Sequence, residues 1–204
     1  MTKELKKHLD IKEQINRLKS RGLIIENEDF VEDVLDKINY YRLSGYLHDF
    51  KEQSGDSYYS GLSFKQIYDI YKFDSKFTRI LLFALENVEE TFKSRLSYSL
   101  SKDFPDDPLI YLKKCIYKDE DKYNKFCSIF NKNIKENKGL PFIKHHIVDY
   151  DGNFPIWVAV EIMTLGNIYH MYNNLENIYQ KQIARKYNTG INQINNWLCN
   201  LTLY

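Results

Sequence analysis

The stretch Ile-Asn-Tyr-Tyr-Arg-Leu-Ser-Gly-Tyr-Leu-His-Asp-Phe occupies residues 38–50. It places three tyrosines, an arginine and a histidine between a segment of helical periodicity and a loop that contains Ser54-Gly55-Asp56. The preceding segment begins at Asn27, a good helix cap, and carries apolar residues at helical spacing. The pattern therefore predicts one amphipathic helix that runs into the stretch and ends or bends at Gly45.

Helical periodicity continues through most of the 204 residues. Asp10 with Glu13 and Ser63 with Gln66 have the spacing of capping boxes. The pattern that starts after Ser63 is long for one globular helix, and a break is expected near residues 73–75 because an aspartate there can cap a new helix. No β-alternation of useful length is present. We therefore predict an all-α fold, a helical bundle built as one domain over residues 1–204, with a long, kinked central helix and peripheral helices.

The composition limits the possible partners. Lys and Arg number 29 and Asp and Glu 28, so the net charge of +1 gives no global attraction for nucleic acid, and any RNA contact must be local. Cys115, Cys127 and Cys199 lack the spacing of metal ligands and predict reduced thiols. No apolar run is long enough to span a membrane. We expect a cytoplasmic protein with no membrane segment, no metal and no cofactor.

Arg42 and His48 are the first candidates for catalysis. A histidine can act as general acid or base, and an arginine can hold a phosphate. Five residues separate them, a spacing within the pattern of one group of RNases. On a straight helix they project about 240° apart, so they converge only if Ser44-Gly45 bends the backbone. The alternative is that Arg42 pairs with a carboxylate while His48 lies in a partly exposed bend.

Charged residues in later helices supply further candidates. Glu89 and Lys93 are i, i+4 neighbours that either form an ion pair on a charged face, or leave Glu89 partly buried to orient a basic catalytic residue. Glu161 is flanked by apolar residues on both sides, which predicts a half-buried structural carboxylate that needs a partner. His145 and His146 are adjacent, point apart and have no accompanying ligand cluster, which argues against a metal site.

Four separated stretches resemble the Abi-like abortive-infection proteins of bacteria. They keep the family order and cover residues 19–25, 38–46, 71–89 and 154–166. The strings Tyr-Tyr-Arg-Leu-Ser-Gly-Tyr and Pro-x-Trp-Val-Ala-Val-Glu are the most specific. The resemblance implies an all-helical, HEPN-like fold, a role in phage defence, and toxicity directed at RNA or association with an RNA such as a small non-coding RNA. It also implies a homodimer, because HEPN-like nucleases usually place their sites at that interface.

Two departures from the family pattern bear on activity. The Arg-Asn-x-Cys-Ala-His-like nuclease motif is expected after the last Trp-Leu helix, but residues 196–204 do not contain it, and the C-terminal helix is expected to be incomplete. Lys93 stands where the family commonly has arginine. A lysine binds phosphate less well than the forked guanidinium of arginine, but it is still a cation. The resemblance thus implies a relative of the HEPN RNases that binds or acts on RNA through Arg42, Lys93 and Arg95, without the nuclease motif. The alternative is a non-catalytic RNA- or protein-binding regulator, such as the partner of a toxin.

Overall fold

The computed structural model describes residues 5, 7–52 and 55–202. Its regular structure consists of ten α-helices and two short 3-10 helices, and the described residues form no strand, only three isolated β-bridges. The prediction of an all-α fold is confirmed. The chain divides into two compact units, residues 1–82 and 83–204, and each has its own apolar core.

The described residues of the first unit form three helices and the beginning of a fourth. They are α1 (Ile11–Ser20), α2 (Glu28–Lys37), α3 (Tyr40–His48) and the first part of α4 (Phe64–Asp103). Local signals start these helices as predicted: Asp10 and Glu13 form a capping box on α1, and the Asn27 side chain caps α2. The helices bury their apolar faces together, with Leu18, Val34 and Leu43 in the common core.

The predicted continuous helix through residues 38–50 is wrong. α2 ends at Lys37, and a separate helix begins after Asn39, whose side chain accepts a hydrogen bond of 2.8 Å from the backbone N–H of Tyr41. The predicted bend at Gly45 is also wrong, because α3 continues through it to His48. Leu43 and Leu47 lie one turn apart and are both buried, so the core holds α3 in register across the glycine.

The expected break in the central helix is absent, since α4 runs for 40 residues without interruption. Asp74, the residue expected to cap a new helix, has a different partner: its carboxylate accepts a hydrogen bond of 2.5 Å from the Tyr46 hydroxyl. The predicted start of this helix is confirmed, because Gln66 accepts from the Ser63 N–H at 2.8 Å and donates its own N–H to the Ser63 hydroxyl at 3.3 Å.

The described residues of the second unit form the rest of α4, two 3-10 helices (Ile110–Leu112 and Lys114–Ile116) and six further α-helices, α5 (Glu120–Glu136), α6 (Pro141–Asp149), α7 (Ile156–Ile162), α8 (Leu165–Asn174), α9 (Asn177–Arg185) and α10 (Ile191–Leu201). α8 packs against both α5 and α10. Two buried tyrosine hydroxyls donate hydrogen bonds to backbone carbonyls. Tyr111 donates to the carbonyl of Phe154 at 2.8 Å, and Tyr117 donates to the carbonyl of Tyr111 at 2.6 Å. These tyrosines therefore fill the core with their aromatic rings, while their hydroxyls are satisfied by hydrogen bonds. Within the described ranges, no helix combines the length and the apolar character needed to cross a membrane.

Candidate functional site

Arg42 and His48 lie on one unbroken helix. The guanidinium carbon of Arg42 is 5.7 Å from the centroid of the Tyr71 ring, a cation–π contact. His48 is exposed, with Nδ1 3.7 Å from the Asp49 carboxylate. The bend at Gly45 that would let Arg42 and His48 converge is not present, and six positions on a regular helix correspond to about 240° of rotation. Their joint catalytic role stays a prediction.

His48 lines a cleft of about 900 Å³ in the first unit, which we call the α1–α3 cleft. It is lined by Arg17 of α1 and by Arg21, the residue that follows this helix. α3 also lines the cleft, with residues from its first to its last turn. The residues of α3 and of the following loop that line the cleft are Tyr40, Tyr41, Ser44, Gly45, His48, Asp49, Lys51, Asp56 and Tyr58.

The α1–α3 cleft is rich in cations. Asp56 accepts from Arg21 at 2.6 Å and lies 3.4 Å from the Lys51 ammonium, and these two cations, Arg21 first, hold the pKa of its carboxyl below the usual value. Burial alone would lower the pKa of Arg21, but a hydrogen bond with Tyr58 and the charge of Asp56 raise it overall. No ion pair forms at Arg17 among the residues that the structure describes. The cleft can therefore hold an anion.

In the second unit, Glu89 and Glu161 line one groove of about 380 Å³. Glu89 and Lys93 form the predicted i, i+4 ion pair, with 2.7 Å between the ammonium and the carboxylate, and Lys93 is largely buried. The expected burial of Glu161 is wrong, since its side chain is exposed. α7 directs its buried residues toward the core, while Glu161 and Trp157, four positions apart, share the exposed side. The structural role of this carboxylate stays a prediction.

Arg95 belongs to a cluster of cations and tyrosines. Its guanidinium donates to the backbone carbonyl of Lys186 at 2.8 Å and lies 4.2 Å from the centroid of the Tyr187 ring. The Lys186 ammonium lies 4.6 Å from the centroid of the Tyr98 ring. Burial, and then the charges of Arg95 and Lys102, lower the pKa of Lys186. We call Arg95, Tyr98, Lys102 and Lys186 the α4–α9 surface.

The sequence pointed to only one residue of the α4–α9 surface. Arg95, Tyr98 and Lys102 stand at i, i+3 and i+7 of one helix, and this spacing would have revealed a common face. Lys186 carried no such signal, because it reaches the cluster from 91 residues further along the chain. In the α1–α3 cleft, sequence reasoning likewise identified His48 and missed the two arginines.

The adjacent histidines are engaged locally. His145 Nδ1 lies 2.5 Å from the carboxylate of Asp149, four positions later on the same helix, and its ring stands perpendicular to that of His146. His146 places Nδ1 3.0 Å from the carbonyl of Phe142. In the part of the chain that the structure describes, no three His, Cys, Asp or Glu side chains gather as the ligands of a metal ion do.

Comparison with known proteins identifies the family of the chain. Neither the curated proteins nor the solved structures compared with this chain match it. The family described as Abi-like protein matches residues 33–204, which include α2 from its second turn, the 38–50 stretch, all of α4 and the whole second unit. This membership indicates a role in abortive infection, a form of phage defence. Since the matched segment is far more than half of the chain, the protein belongs to the Abi-like family.

Proposed function

We propose that the protein acts in phage defence by binding RNA in the cytoplasm, as a relative of the HEPN RNases. The observation that carries the proposal is the α4–α9 surface, where three cations and an exposed tyrosine lie together. A protein surface that binds RNA phosphates needs cations close together, and exposed aromatic rings can stack on the bases of single-stranded RNA. The net charge of the chain, only +1, makes such a local cluster necessary.

Each member of the α4–α9 surface has a distinct part in this proposal. Arg95 is fixed by the Lys186 carbonyl and the Tyr187 ring, so its remaining N–H donors are preorganised for a phosphate. Burial, and then the positive charges of Arg95 and Lys102, lower the pKa of Lys186, and a bound phosphate relieves the repulsion among these cations. Lys93 contributes less, because it is buried and paired with Glu89.

The test is binding of total bacterial RNA to the purified chain, measured by filter binding over a range of salt concentrations. The double variant K102E/K186E should bind at least about tenfold more weakly and show a salt slope reduced by about two, one for each phosphate contact. The matched control is K132E/K144E, which makes the same charge change at exposed positions on α5 and α6. Equal affinity of the two double variants would refute the proposed surface.

The second candidate function is a protein-binding regulator, and exposed apolar residues on α4 within the first unit favour it. Phe73 is 70% exposed and Ile80 67%, and the rings of Phe73 and Phe77 stack with 5.9 Å between centroids. With Ile70, these residues form one face at i, i+3, i+7 and i+10. Apolar faces of this kind mark interaction surfaces.

The partner that we propose for this apolar face is a second copy of the chain. Residues 70, 73, 77 and 80 are spaced symmetrically about residue 75, so an antiparallel copy sets Phe73 against Phe77 and Ile70 against Ile80. Sedimentation equilibrium should show a dimer that F73S/F77S converts to a monomer of unchanged helix content. A wild-type chain that stays monomeric at high concentration would exclude the homodimer.

A further inference from the structure

We infer that the α1–α3 cleft is a binding site for a phosphorylated nucleoside, with Arg17 and Arg21 at the phosphate and Gly45 where the ligand passes close to α3. This site lies in the first unit and shares no residue with the α4–α9 surface. The inference therefore goes beyond RNA binding at that surface and stands independently of it.

Gly45 supplies the most specific observation. It lies inside α3, where glycine is less favourable than alanine because its backbone loses more freedom. Its φ is not positive, so other residues could adopt its backbone conformation. A Cβ atom placed on it would have no heavy atom within 4 Å. Neither the backbone conformation nor the packing of the chain explains a glycine here. Gly45 lines the cleft, and close approach of a ligand to the helix backbone is the remaining use of a missing side chain.

The two arginines that line the cleft supply the charge. Arg21 makes a hydrogen bond of 2.6 Å to Asp56 and another with Tyr58, and a guanidinium has five N–H donors, so donors remain for a phosphate. Arg17 stands four positions earlier and pairs with no carboxylate among the described residues. A guanidinium group is planar and can bind two phosphate oxygens at once. Two arginines therefore suit phosphate recognition better than two lysines would. Asp56 is already paired with Arg21 and Lys51, and the other charged lining residues are Lys7, Arg17 and Asp49, which leaves the cleft with an excess of positive charge.

An aromatic residue at the cleft supplies a place for the base. Tyr41 lines the cleft and is 84% exposed, an unusual position for a tyrosine in a chain that otherwise buries many of them. An exposed ring offers a face for stacking that is independent of base identity. The cleft volume of about 900 Å³ is also within the range of small-molecule sites. Phosphate, ribose and base can thus be accommodated together.

The experiment is isothermal titration calorimetry of the full chain with adenosine 5′-monophosphate, inorganic phosphate and adenosine. We expect measurable binding of the nucleotide, weaker binding of phosphate and no binding of adenosine. R17Q should reduce the affinity for the nucleotide at least about tenfold. The matched control K12Q removes a cation from an exposed position of the same helix outside the cleft and should bind as the wild type does. Equal binding of nucleotide and adenosine, or of R17Q and K12Q, would overturn the inference.

Gly45→Ala gives a second, independent readout. Because the position is helical and open, the variant should unfold at a higher temperature than the wild type, while its affinity for the nucleotide falls several-fold. A variant that is less stable than the wild type, or one that binds the nucleotide unchanged, would overturn the role of this glycine.

A phosphate attached to a nucleoside occurs both in a free nucleotide and at the 5′ end of an RNA. A short RNA with a 5′-phosphate and the same RNA without it separate these sources. In the K102E/K186E variant, where the α4–α9 surface no longer contributes, tighter binding of the phosphorylated RNA than of the mononucleotide assigns the site to an RNA end, and the reverse order assigns it to a free nucleotide. The variant K102E/K186E keeps the cleft intact, so its nucleotide affinity should equal that of the wild type whether or not the α4–α9 surface binds RNA.

Discussion

The hydroxyl of Tyr46 on α3 donates a hydrogen bond of 2.5 Å to the carboxylate of Asp74 on α4. This hydrogen bond is the largest cause of the raised pKa of Tyr46. The Tyr46 ring also meets Tyr71 edge to face at 5.6 Å, and Arg42 contacts Tyr71 in turn. The 38–50 stretch is thus held against α4 by a hydrogen bond, an aromatic contact and a cation–π contact.

Removing this bond should destabilise the first unit. We expect Tyr46→Phe and Asp74→Ala each to lower the free energy of unfolding by about 0.5–1.5 kcal/mol, the usual net value of one hydrogen bond. The double variant should lose less than the sum of the two single losses, because both remove the same interaction. Urea denaturation of the four proteins measures this coupling. Strictly additive losses would show that the bond does not contribute.

The buried Gln180 should be essential to the second unit. Its amide donates to the carbonyls of Tyr172 at 2.7 Å and Asn173 at 3.0 Å, and its oxygen accepts from Lys118 at 2.6 Å. Gln180→Leu should cost about 3 kcal/mol, because it leaves several polar groups without partners.

The exposed Gln193 on α10 offers the same substitution as a control. Gln193→Leu should change the free energy of unfolding by less than about 0.5 kcal/mol. Equal effects of the two substitutions in chemical denaturation would contradict the role assigned to Gln180.

Alkaline pH should unfold the second unit. Burial raises the pKa of Tyr123 from 10.0 to about 12, and it also raises the pKa of Tyr111, Tyr117 and Tyr172. The folded state favours the neutral phenols, so this contribution to stability is fully present below pH 10 and is lost as the pH rises toward 12. Circular dichroism and tyrosinate absorbance, followed together, should show the buried tyrosines ionising as helix is lost. Ionisation of all 17 tyrosines near pH 10 with the helices intact would contradict this expectation.

Thiol reactivity should distinguish two cysteines. Burial raises the pKa of the Cys127 thiol, and a hydrogen bond with Tyr123 offsets this only in part, whereas Cys115 is exposed. We expect Cys127 to react with a maleimide at neutral pH at least about tenfold more slowly than Cys115, since less thiolate is present and access is poorer. Mass spectrometry of labelled peptides over time gives both rates. Tyr123→Phe should slow Cys127 further, and equal labelling of the two cysteines would argue against burial as the cause.

Local signals accounted for the parts of the fold that sequence reasoning placed correctly. The capping boxes at Asp10 and Ser63 and the cap at Asn27 act within one turn, so the sequence around them was sufficient. Errors arose where one local signal competed with distant contacts. Asp74 looked like a cap and instead bonds Tyr46, and Gly45 looked like a stop although its helix is held by buried leucines on either side.

The amino-acid sequence by itself determined the all-α class and the Abi-like family, because helical periodicity, caps and family strings are all short-range patterns. It also identified single members of each cationic site, Arg95 and His48. Only the tertiary structure decided their neighbours, since Lys186 meets Arg95 from 91 residues away and Arg21 meets Asp56 from 35. Contacts of that separation depend on how helices pack, and neither periodicity nor spacing along the chain encodes them.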